Sequence, residues 1–153
     1  MNLEHKERLF SSELNHRALA YALLRITLGV VFSFYGFNKL QGGPGNFATG
    51  LQERFAEQLP GLLVAPFAWV LPFIEVTVGL LLIVGLFTPG ALLVSGVLMI
   101  ALVFGAVMEP SPPTVANNLL FAVIVFLLLF LLEYNRYSLD RWKEMRSGRK
   151  VGF

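Results

Sequence analysis

The sequence predicts an all-α polytopic membrane protein, in which four antiparallel transmembrane helices form one bundle and one domain. Hydrophobic residues make up 56% of the 153 positions, and mean hydropathy is +0.66. They are concentrated in four stretches, Ala18–Leu40, Pro66–Leu86, Pro89–Met108 and Ala116–Tyr134. Each stretch has about the length needed to cross a hydrocarbon core of ~30 Å at ~1.5 Å per residue. Because the connections between them are short, consecutive spans should be antiparallel neighbours.

The connections support these boundaries. The turn Phe87–Gly90 and the proline-rich segment at 109–113 both end a helix, since proline cannot continue one. The longest connection carries an apolar residue at every fourth position, at Phe47, Leu51, Phe55 and Leu59. That spacing predicts an outer interfacial helix over about 46–59. A plain interfacial connector is the simpler interpretation, and a substrate lid is the alternative.

The distribution of basic residues predicts the topology. Lys and Arg flank the bundle before the first span and after the fourth, and only Lys39 and Arg54 lie in or beside the connections between spans. The positive-inside rule then places both termini in the cytoplasm. The chain should therefore be a multi-pass protein of the cytoplasmic membrane of a prokaryote. Its basic cytoplasmic tail, 136–153, is interpreted as a topology anchor that contacts anionic lipid, and no nucleic-acid partner is expected.

Composition excludes several kinds of redox centre. The chain has no cysteine, so it forms no disulfide, Fe–S cluster or thiolate zinc site. Both histidines, His5 and His16, precede the first span, which excludes a haem held by two histidines of this chain inside the bilayer. We therefore expect no metal, no haem and no covalent cofactor.

Polar side chains at membrane depth are the candidate functional residues, because a charge that faces lipid is costly. On the first span, Arg25, Tyr35 and Lys39 share one helical face. Glu75 of the second span should lie near the level of Tyr35. The sequence thus predicts an outer-half pocket whose ligand-binding residues are Tyr35, Asn38, Lys39, Glu75 and Asn118. Glu75 is the candidate catalytic residue, since a carboxyl group can take up and release protons.

Arg25 lies deeper, towards the predicted cytoplasmic side. Its long side chain could join the first span to the end of the fourth through Glu133 or through backbone carbonyls near Tyr137. Arg25 and Glu133 are therefore predicted to be structural intramembrane residues, and a cytoplasmic-side ligand site at Arg25 is the alternative.

The chain resembles the DoxX family over roughly residues 20–141. The resemblance rests on three runs in order, Leu24-Arg25 through Lys39-Leu40, Glu75 through Thr88, and Asn118-Leu119-Leu120 followed by Arg136 through Asp140. Tyr35 departs from the pattern, because that family often has a histidine there. The resemblance implies a four-helix bundle and a small membrane component of an oxidoreductase system. Some relatives use quinone as an acceptor, and others act in the maturation of partner proteins.

Two function classes remain. In one, the pocket binds a quinone or quinol and an oxidoreductase partner, soluble or membrane-bound, supplies the electrons. In the other, the protein is a noncatalytic assembly factor or partner subunit, and Lys39 and Glu75 form a buried ion pair that fixes helix register. Transport is less favoured, because four spans lack the inverted repeats of secondary carriers. A homo-oligomer is compatible with either class.

Overall fold

The computed structural model describes residues 3–109 and 111–147, with side chains from 13 to 146, and within these ranges every regular element is helical. The all-α prediction is confirmed. The helices are α1 (Leu3–Gln41), α2 (Pro44–Arg54), α3 (Gly61–Val84), α4 (Thr88–Met108), α5 (Pro112–Phe130) and α6 (Leu139–Ser147), with a 3₁₀ turn at Leu132–Tyr134 before α6. Four of them, α1, α3, α4 and α5, are long and apolar enough to cross a membrane. The tail beyond Ser147 lies outside the described residues.

Several helix ends differ from the predicted ones. The second span begins at Gly61 and not at Pro66, so Pro66 and Pro72 both lie inside α3. Each proline removes one helical hydrogen bond, which membrane helices tolerate. The fourth span begins at Pro112 and ends at Phe130. The connector helix α2 covers 44–54, so it begins before the predicted 46–59 segment and ends at Arg54.

The most extensive helix contact, between α1 and α3, brings the two backbones together at glycines. A Cβ added at Gly29 would lie 2.7 Å from the Gly79 carbonyl oxygen, and one added at Gly36 would lie 2.6 Å from the Pro72 carbonyl oxygen. Real Cβ atoms do not approach so closely, so these positions admit only glycine without a shift of the helices. Small residues at a membrane helix contact permit this close approach.

The spans form two pairs, α1 with α3 and α4 with α5, which pack on each other through apolar side chains. Contacts between α1 and α5 are sparse. We call the end of the bundle where α2 lies the α2 end, and the opposite end, where α6 lies, the α6 end. The shared core is formed by buried residues of both pairs, among them Leu28, Phe32, Leu82, Leu92 and Leu128.

At the α2 end, α2 packs mainly against the first half of α3. Ala48 of α2 and Phe55, which directly follows the helix, are buried, and a Cβ added at Gly105 would meet the Phe55 ring at 3.4 Å. The short helix is therefore seated on the bundle, with contacts to both α3 and α4.

Candidate functional site

An ion pair between Lys39 of α1 and Glu75 of α3 lies inside the bundle. The Lys39 ammonium nitrogen is 2.5 Å from one carboxylate oxygen of Glu75 and 2.7 Å from the other. Glu75 is 3% exposed and Lys39 is 24% exposed. Because α1 and α3 are antiparallel and Gly36 packs against Pro72 and Val76, Glu75 lies near the level of Gly36, and the Lys39 side chain reaches back to it from about one turn nearer the α2 end. The Lys39 ammonium also lies 5.3 Å from the centre of the Phe47 ring of α2.

Beside Glu75 is a small cavity of about 40 Å³ between the two helix pairs. It is lined by residues of all four spans, Val31, Phe32, Tyr35, Glu75, Met99, Leu102, Asn118 and Phe121. A cavity of this size is large enough for water, whereas a benzene ring occupies a cavity of about 150 Å³. Three of these lining residues carry polar side chains, Tyr35, Glu75 and Asn118.

The structure brings together four of the five predicted ligand-binding residues. Tyr35 is half exposed, and its ring meets Phe121 edge to face with 6.3 Å between ring centres. The Asn118 amide donates to the carbonyl oxygen of Leu102, 3.2 Å away, which uses one of its two N–H groups. Asn38 is exposed and does not line the cavity. Asn38 precedes Lys39 directly, and a step of about 100° on a helix turns it away from the Glu75 side.

Arg25 belongs to a separate cluster at the α6 end. It is 1% exposed, and its two terminal nitrogens donate to the side-chain oxygen of Asn135 and to the carbonyl oxygen of Tyr137, each at 2.8 Å. The predicted contact near Tyr137 is therefore present. The alternative prediction, a contact between Arg25 and Glu133, is wrong, because Glu133 is exposed beyond the end of α5. The 3₁₀ turn carries the chain on to Asn135, which reaches Arg25 instead.

The same cluster fixes the turn between α3 and α4. The Asp140 carboxylate accepts hydrogen bonds from the backbone N–H groups of Phe87 and Thr88, each at 2.8 Å. An anion in this place satisfies free N–H groups at the start of α4 and is favoured by the helix dipole. Gly85 has a left-handed backbone (φ 72°), and an added Cβ would lie 2.7 Å from the Arg25 guanidinium carbon. We call Arg25, Asn135, Tyr137, Asp140 and this turn the α6-end cluster.

Sequence reasoning missed Asn135 and Asp140. The signal available was the run from Arg136 to Asp140 directly after the last span, which the DoxX resemblance included without giving it a role. Fourteen residues separate Arg25 from Lys39, about 21 Å along a helix. No small ligand could contact both, so the ion pair and the α6-end cluster are two sites. Among the described residues, no group of three or more His, Cys, Asp or Glu could hold a metal ion.

Fold and site together define a small multi-pass membrane protein with an intramembrane ion pair. Residues 17–109, from the first half of α1 to the end of α4, match the family described as Methylamine utilisation protein MauE. Since the match covers more than half of the chain, the protein belongs to the MauE family. The match supports a small polytopic membrane family and does not extend to DoxX specifically. No curated protein and no solved structure matches the chain.

Proposed function

We propose that the protein is a membrane component of an oxidoreductase system and that its intramembrane cavity binds the polar end of a quinone, a quinol or a similar apolar molecule. The family description names methylamine utilisation, an oxidoreductase-related system. The observation that carries the ligand proposal is the grouping of three polar side chains beside a cavity at membrane depth, those of Tyr35, Glu75 and Asn118. DoxX-like quinone chemistry remains part of this proposal.

Each lining group has a defined chemical role in this proposal. The phenol of Tyr35 and the free N–H of Asn118 donate to the carbonyl oxygens of the ligand. Glu75 accepts or supplies the proton, and Lys39 holds the carboxylate in place. The proposal uses no redox centre of this chain: an oxidoreductase partner supplies two electrons to a quinone or accepts two electrons from a quinol. A ring needs more room than about 40 Å³, so binding requires Tyr35 or Phe121 to move.

The direct test is binding of a short-tailed quinone analogue to the protein in lipid nanodiscs. Asn118→Leu removes a lining donor, and Asn117→Leu makes the same change on an exposed neighbour. Loss of one hydrogen bond corresponds to a drop in affinity of roughly two- to tenfold. We expect that drop for Asn118→Leu and no change for Asn117→Leu. Equal affinity of both variants and the wild type would refute a ligand site at the cavity.

The second candidate function is that of a noncatalytic assembly or partner subunit. It is favoured by the complete pairing of Glu75, both of whose oxygens contact Lys39. A buried ion pair that fixes helix register needs no ligand, and replacing both partners with neutral side chains is often tolerated. In this case the oxidoreductase system depends on the presence of the bundle and not on its charges.

The double variant Lys39→Met with Glu75→Gln separates the two functions. It is introduced into a strain that lacks the protein, and growth on methylamine and the amount of protein in the membrane are both measured. Wild-type growth at a normal protein level supports the assembly function. Loss of growth at a normal protein level supports the ligand site.

A further inference from the structure

The hydrogen bonds that join α1 to the chain beyond α5 all lie at the α6 end. Arg25 supplies two of them within the α6-end cluster. About two helical turns nearer the N-terminus, Arg17 donates to the hydroxyl oxygen of Tyr134 at 3.1 Å. Asp140 adds its two bonds to the start of α4 and donates its own N–H to the carbonyl oxygen of Gly85 at 3.0 Å. The two helix pairs are therefore held together at this end by polar bonds.

At the α2 end, the polar bonds between spans stay within each pair. Lys39 bonds Glu75 inside the α1–α3 pair, and Asn118 bonds Leu102 inside the α4–α5 pair. If the pairs separate here, each of these bonds persists. The main cost of separating helices in lipid is that polar groups lose their partners. Opening at the α2 end avoids this cost, because all four of these residues keep their hydrogen-bond partners.

Besides the apolar contact of the Phe55 ring with α4 at Gly105, two weaker contacts cross between the pairs at the α2 end. The Arg54 guanidinium lies 3.8 Å from the Glu109 carboxylate, and both side chains are exposed, so the pair contributes little. The other is the edge-to-face contact between Tyr35 and Phe121. Apolar faces inside a bilayer gain little from packing on each other, because lipid tails are equally apolar and replace the lost contacts.

We propose that α1 and α5 separate at the α2 end while the α6 end stays closed, and that the cavity takes its ligand from the bilayer through this seam. We call the facing residues Val31 and Tyr35 of α1 and Asn118 and Phe121 of α5 the α1–α5 seam. The ligand class that follows is a lipid-soluble molecule with an apolar body and an oxygen-bearing end, because only the end reaches the polar lining. The inference rests on the proposed ligand site and adds the route and the class of ligand.

The absence of native cysteine allows a reversible cross-link across the seam. The variant Val31→Cys with Phe121→Cys, which leaves the proposed donors Tyr35 and Asn118 in place, is joined by a short reducible bis-thiosulfonate reagent. The matched control Arg17→Cys with Tyr134→Cys is joined in the same way at the α6 end. Association of a short-tailed quinone analogue is measured in nanodiscs before and after reduction. We expect the link at the seam to slow association by about tenfold or more, as for a blocked conformational step, and the control link to leave it unchanged. The same rate with the seam linked and reduced would overturn the proposal.

A second measurement needs no ligand. Spin labels on the same two cysteine pairs report the distance distribution across each end of the bundle. We expect a broad distribution with a longer component for the Val31/Phe121 pair and a narrow one for the Arg17/Tyr134 pair. Narrow distributions at both ends would show that the seam does not open. A broad distribution at the seam without any quinone binding would support the seam and reject the proposed ligand.

Discussion

Replacing Gly36 with alanine tests how closely α1 and α3 must approach to form the ion pair. The added Cβ would lie 2.6 Å from the Pro72 carbonyl oxygen and 2.8 Å from the Val76 backbone nitrogen. Ordinary contact begins near 3.4 Å, so the two backbones must separate by about 0.8 Å at this level. Backbone atoms cannot rotate away as a flexible side chain could, and both helices have to shift.

Two opposing terms set the size of the effect. Overpacking a tight contact costs about 1–3 kcal/mol, whereas replacing glycine with alanine within a helix gains up to about 1 kcal/mol. We therefore expect Gly36→Ala to lower the free energy of unfolding by about 1–2 kcal/mol. Because Lys39 and Glu75 lie one turn away, the variant should also show a lengthened ion pair.

Gly96 provides the matched control. It also lies within a membrane-spanning helix, but an added Cβ there would meet only a Val125 methyl group at 3.7 Å, an ordinary contact. Gly96→Ala should be neutral or slightly stabilising. Both variants are compared with the wild type by thermal unfolding in detergent. If Gly36→Ala proved as stable as Gly96→Ala, the backbone contact would not be what positions α1 against α3.

Two further predictions concern the α6-end cluster and the topology. Arg25→Ala removes two hydrogen bonds and should reduce stability by about 1–3 kcal/mol in detergent. Quinone affinity of the folded variant should stay within about twofold, because Arg25 does not line the cavity and lies about 15 Å along α1 from the proposed donor Tyr35. A large affinity loss at unchanged stability would make Arg25 part of a ligand site. With both termini in the cytoplasm, a reporter fused after Phe153 should be active only if it is a cytoplasm-dependent one, and activity of a periplasm-dependent reporter would overturn this topology.

The sequence predicted the all-α class from the length of its apolar stretches, and it offered the pairing of Lys39 with Glu75 as one of two interpretations. Hydrocarbon excludes unpaired charges, so the few charged residues inside apolar stretches must meet at a common depth. Helical rise placed Glu75 near the level of Tyr35, within reach of the Lys39 side chain. The depth of each polar residue along its span was therefore the main guide to the intramembrane site.

The α6-end cluster was less predictable because it depends on how the chain turns after α5. The 3₁₀ turn at Leu132–Tyr134 decides that Asn135, and not Glu133, faces Arg25. The start of α3 was misplaced for a related reason. Proline commonly begins a helix, yet Pro66 and Pro72 lie inside α3, as membrane helices permit when neighbouring groups satisfy the freed backbone.

The two members of the ion pair should respond unequally to substitution. Lys39 is 24% exposed and lies near the end of α1, so without Glu75 its flexible side chain can extend towards water at the α2 end. Glu75 is 3% exposed and lies well inside α3, so without Lys39 its carboxylate must remain charged with no counter-ion or take up a proton.

Removing Lys39, and so leaving a buried carboxylate without its partner, costs about 3–5 kcal/mol. We therefore expect Lys39→Met to destabilise the bundle by several kcal/mol on that basis, Glu75→Gln to destabilise it by about 1 kcal/mol, and the double variant to recover most of the stability lost in Lys39→Met. Thermal unfolding of the three variants in detergent measures this order. Equal losses in the two single variants, or losses that add in the double variant, would mean that the ammonium and the carboxylate do not depend on each other.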